Sequence, residues 1–92
     1  MSLLAFVIAD QLADDACGPA WGSQLRRDTK RGRIARAARS AAASALIRHL
    51  GDVAPGEWHY AAPGFDERLA VARSVAVEAF EAEVRYLKER GA

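Results

Sequence analysis

A chain of 92 residues with a formal net charge of +1 bounds one small domain. It excludes a global field that would draw the protein to nucleic acid or membrane. Hydrophobic residues make up 51% of it, too many for a disordered sequence. The lone cysteine, Cys17, excludes an internal disulfide and suits a reducing cytoplasm, the expected location.

The single domain is expected over residues 1–92, read as a complete small protein. Its apolar content is largely alanine, so the core is thin and the helix backbones come close. The larger side chains must then supply most of the burial. They include Leu3, Leu4, Phe6, Ile8, Leu12, Trp21, Ile34, Leu46, Leu50, Trp58, Tyr60, Phe65, Leu69, Phe80, Tyr86 and Leu87. Each contributes about 1.5–3 kcal/mol if fully buried.

Ser2 is placed to cap a helix opening at Leu3. The run LLAFVIADQLADDAC then leads to Gly18 and Pro19, a stop signal. Apolar residues cover most of the circumference over 3–9, which also fits a buried strand. Leu12, Ala13 and Ala16 continue the pattern at helical spacing and favour the helix. This start lacks the basic flank and the length of a signal peptide or membrane span.

Residues 24–50, QLRRDTKRGRIARAARSAAASALIRHL, are the most basic and most helix-prone part of the chain. Ser23, or the pair Asp28–Thr29, offers a helix start, and Gly32 interrupts between the second start and the alanines. Either one helix spans about 24–50 and tolerates Gly32, or the basic residues form a loop and the helix begins near Arg33. On that helix Ile34, Ala35, Ala38, Ala41, Ala42, Ala45 and Leu46 share one side, and Arg33, Arg36, Ser40, Ser44 and Arg48 the other. Arg39 falls at the boundary, where its head can reach a carboxylate.

Gly51–Asp52 stops this helix. Pro55–Gly56 and Pro63–Gly64 then bracket EWHYAA, whose Trp58 and Tyr60 alternate about His59 with the period of a short strand. A pairing of 57–61 with 3–9 is the α+β alternative. The last helix is the clearest. Asp66 and Glu67 lie in its first turn and Lys88 and Arg90 in its last, in the order its dipole favours. Phe65, Leu69, Ala72, Val75, Ala76, Ala79, Phe80 and Leu87 form its apolar stripe. Glu83 interrupts that stripe, and a carboxylate there needs a partner. Arg39 is the expected one.

The expected fold is therefore all-α: three helices, the second and third packed as an antiparallel hairpin. No motif points to catalysis. Ser44 and His49 are five apart and face differently, and Cys17 sits beside Gly-Pro, away from any recognisable nucleophile elbow. Cys17, His49 and His59 lack the spacing of a metal site, and no phosphate-loop fingerprint is present. No cofactor, metal or small-molecule substrate is expected, and the protein is not read as an enzyme.

Two binding classes remain. Trp58, His59 and Tyr60 offer an aromatic loop of the kind that anchors protein interfaces. Arg26, Arg27, Lys30, Arg31, Arg33 and Arg36 offer a basic segment that phosphates or an acidic protein surface would satisfy. The plainer account of those arginines is a solvated face, and a GC-rich genome enriches both Arg and Ala. The expected function is stoichiometric binding of a macromolecular protein partner, as an inhibitor, adaptor or assembly factor of the kind phages and mobile elements encode. Self-association belongs to the same class, and nucleic-acid binding through 26–36 is the alternative.

Overall fold

The structure, a computed structural model, describes residues 3–22 and 29–91, excepting the side chains of residues 17 and 19–22. The expected cap Ser2, the connector residue Ser23 and the basic residues Arg26 and Arg27 lie outside the described residues. Among the described residues three helices make the fold: α1 (Leu3–Gly22), α2 (Lys30–Leu50) and α3 (Phe65–Glu89). A single 3₁₀ turn, Pro55–Trp58, lies between α2 and α3. There is no strand among the described residues, so the α+β alternative does not form. Residues 3–9 are helical because Ala5, Ala9, Leu12 and Ala13 carry one buried face across both halves of α1. Residues 57–61 instead follow Pro55 into tight turns, with Glu57 N–H donating to Ala54 O and Ala62 N–H to His59 O.

Gly18 breaks the geometry of α1 where the sequence signals a stop. Its φ of 63° and ψ of 174° lie in a region essentially reserved for glycine. The chain does not leave the helix for good. Helical geometry resumes to Gly22, because a proline that cannot continue a helix fits well in the first turn of the next.

α2 begins at the second of the expected starts, Thr29, ahead of Arg33. Thr29, extended at φ −122° and ψ 168°, caps the helix, and its Oγ1 accepts from the Gly32 N–H at 3.0 Å. Gly32 is therefore a first-turn residue whose amide is satisfied by the cap, and it is buried. The basic residues from Lys30 onward stand on a helix. Gly51 closes α2 at φ 58°, with its N–H donating to Ile47 O at 3.1 Å.

α2 packs closely on both neighbours, and α1 and α3 touch each other less. The first turn of α2 lies beside the end of α3, where Lys30, Arg31, Ile34 and Lys88 line one cavity. α2 and α3 are therefore antiparallel. Residues 8–16 of α1 run alongside 65–77 of α3 in the same direction. The body is 43 Å long and 21 Å across.

The seam is built from alanine. Ala9 and Ala13 of α1, Ala38 and Ala42 of α2, and Ala72 and Ala76 of α3 have no exposed surface. Each pair is spaced i,i+4, so the small side chains stack along one line and let the backbones approach. Leu12, Leu46 and Phe80 join this seam, and Trp58, Leu69 and Val84 pack against it. Other large residues expected to supply burial do not. Leu3, Phe6, Tyr60 and Tyr86 are exposed. An alanine-lined bundle of three helices has too little interior to hold them.

Candidate functional site

The residues singled out by sequence fall in three places. The first is the basic start of α2. Lys30, Arg31, Arg33 and Arg36 all lie on its exposed surface. Lys30, Arg31, Ile34 and Lys88 line a cavity of about 430 Å³. Arg33, Ile34, Ala37, Leu87 and Gly91 line another of about 460 Å³. The hairpin thus adds a cation of α3 to the basic segment of α2. Lys88 escaped the sequence reading, which assigned it to the α3 dipole. The antiparallel pairing of α2 with α3 was the signal that could have found it.

The second place is the aromatic loop, which the structure divides. Trp58 turns inward: it is half-buried, packs against the alanine seam and meets Phe65 edge to face, with centroids 5.9 Å apart and planes at 83°. His59 and Tyr60 turn outward and stack on each other, with centroids 4.4 Å apart and planes at 29°. Tyr60 is 81% exposed. The Ala61 N–H donates to His59 Nδ1 at 3.2 Å, so a neutral His59 carries its proton on Nε2. Arg68 of α3 ties the loop down from below. Its Nη1 donates to Pro63 O at 3.0 Å and its Nη2 to Glu57 O at 2.5 Å. The stacked pair is thus mounted on a braced loop.

The third place is Arg39, and here the expected partner is wrong. Its guanidinium turns to α1, not α3. Nε donates to Asp14 Oδ1 at 2.8 Å, and Nη2 donates to Asp10 Oδ1. These two carboxylates, Asp10 first, raise the guanidinium pKa above its ordinary value against a smaller opposing effect of burial. The expected Glu83–Arg39 pair is absent among the described residues. Glu83 itself is only half-buried, so its carboxylate reaches water and requires no ion-pair partner.

A fourth feature was not anticipated. Where α1 and α3 face each other, Leu12, Asp15, Ala16, Arg73 and Val77 line a cavity of about 410 Å³. A second cavity of about 230 Å³ continues from it towards Trp58 and Phe65, sharing Leu12, Asp15 and Arg73. Only tertiary structure places Asp15 and Arg73 across one groove, because they are far apart in sequence and belong to different helices.

There is no group of three metal-ligating side chains among the described residues. Ser44 and His49 are both exposed, and no hydrogen bond joins them among the described residues. No helix among those residues is long and apolar enough to cross a membrane. No known protein family, no curated protein and no solved structure matches the chain.

Proposed function

We propose that this is a small non-enzymatic binding protein that acts stoichiometrically on a protein partner, as an inhibitor, adaptor or assembly factor. The observation that carries the reading is the His59–Tyr60 stack. A large amphipathic ring stands 81% exposed on a loop braced by Arg68. Such a ring offers contact area with little conformational entropy left to lose, which is the property of an interface hot spot. The exposed Leu3 and Phe6 of α1 add apolar surface elsewhere. A cytoplasmic setting suits the single cysteine, and a phage or mobile element is a fitting source for a binder of this size.

A second reading rests on a different observation. α2 and α3 bring Lys30, Arg31 and Lys88 around one cavity, which favours an anionic partner such as a nucleic-acid backbone.

Replacing Tyr60 by an aromatic photo-crosslinking amino acid, which keeps a ring at that position, in cells that produce the protein separates the two. The first reading expects one protein crosslinked in stoichiometric yield and lost when His59 is also changed to Ala. A product that is nucleic acid, released by salt and by neutralising Lys30 and Arg31, transfers the function to the second. Turnover of a substrate by the purified chain removes both.

A further inference from the structure

The groove between α1 and α3 has an apolar floor and rims of opposite charge. Ile8, Leu12, Leu69 and Val77 make the floor, and Val77 is 40% exposed. Asp15 stands on the α1 rim and Arg73 on the α3 rim. Both are exposed, and neither makes an ion pair or hydrogen bond among the described residues.

We infer that this groove is the contact between two copies of the chain, related by a two-fold axis running along it. α1 and α3 are parallel, and Asp15 and Arg73 lie at the same level because they line the same cavities. Rotation about an axis along the groove lays α1 of one copy over α3 of the other. Asp15 then meets Arg73 of the second copy, and Arg73 meets Asp15 of the second copy. Symmetry makes both ion pairs at once, which is what an isologous interface requires of a patch. A two-fold axis lying across the helices instead sets α1 on α1 and opposes Asp15 to Asp15, which repulsion disfavours. The facing apolar floors close over Val77 and Leu69 and remove them from water. The dimer presents two His59–Tyr60 tips. The inference deepens the binding-protein reading, which includes self-association, and rests on it.

Sedimentation equilibrium of the full chain tests it, with circular dichroism confirming the helix content of each variant. Wild type is expected to be a dimer. Asp15→Lys and Arg73→Glu each turn two cross-copy attractions into repulsions, and each raises the dimer dissociation constant at least about tenfold. Val77→Asp, on the floor, also gives a monomer. An equimolar mixture of Asp15→Lys and Arg73→Glu chains restores dimers, because each reversed charge then meets its complement. A monomeric wild type overturns the inference, as do single reversals that stay fully dimeric or a mixture that does not recombine. A monomer that still crosslinks to a protein through position 60 loses the groove contact and keeps the binding function, so the two failures are distinguishable.

Discussion

Arg39 is the residue whose removal most directly tests how α1 is held to α2. Its side chain is 27% exposed, against 51% for Asp10 and 60% for Asp14. The pairs therefore sit in largely solvated surroundings, where one ion pair contributes about 0.2–1 kcal/mol. Two carboxylates share one guanidinium in good hydrogen-bond geometry, which places the sum of the two pairs in the upper half of about 0.4–2 kcal/mol, at about 1–2 kcal/mol. For a domain of this length 1 kcal/mol moves the melting temperature by about 4–8 °C. Arg39→Met, which keeps the apolar stem, is expected to lower Tm by roughly 4–16 °C on that scale. A double-mutant cycle with Asp10→Asn and Asp14→Asn assigns the loss to each pair. The deficit should shrink in high salt, where exposed charges are screened.

The pH dependence has a definite sign. A guanidinium raised above its unfolded pKa contributes stability that is complete below the unfolded value and lost only as pH rises through the folded one. Both values lie beyond the alkaline end of ordinary unfolding experiments, so wild type keeps this contribution at every working pH. Arg39→Lys behaves differently: the same two carboxylates hold its ammonium above the ordinary lysine value of about 10.4, so its contribution starts to fall as pH passes that value and is gone only above the raised one. Urea unfolding of the variant beside wild type at pH 7 and at about pH 11.5 reads this loss. If Arg39→Met equals wild type in stability, or if Glu83→Gln costs as much as Arg39→Met, the assignment of Arg39 to α1 is refuted.

Two further outcomes follow from the packing and the cap. Ala42 has no exposed surface on the seam, so Ala42→Leu overpacks it and is expected to cost about 1–3 kcal/mol in urea unfolding. A neutral effect would show that the seam has room the structure does not give it. Thr29→Ala removes the acceptor of the Gly32 N–H and should cost about 1 kcal/mol, with faster amide exchange at Gly32, whereas Thr29→Ser should retain most of the cap.

The helices themselves were legible because their signals are local. The stripe on α3 from Phe65 to Leu87 has helical period, and its buried members Ala72, Ala76 and Phe80 lie within it. The buried side of α2 likewise coincides with the alanine face read from sequence, through Ile34, Ala35, Ala38, Ala42 and Leu46. The Gly51 stop and the acidic first turn of α3 also stand where composition places them. Burial of large side chains was less legible. Hydrophobicity marks Leu3, Phe6 and Tyr60 as core candidates, yet whether a thin bundle has room for them depends on how many helices cover each face.

What the sequence determined by itself is the set of faces each helix carries, since 100° per residue and the identity of the side chains are enough for that. Which neighbour covers which edge of a face is a tertiary decision. Arg39 lies roughly 140° round α2 from Ile34, counted at 100° per residue. The Ile34 edge went to the end of α3 and the Arg39 edge to α1. Asp10 and Asp14 therefore took the arginine that the sequence pattern assigns to Glu83. The same decision left α1 and α3 only loosely apposed. It set Asp15 opposite Arg73, two residues with no relation in sequence and a shared groove in space.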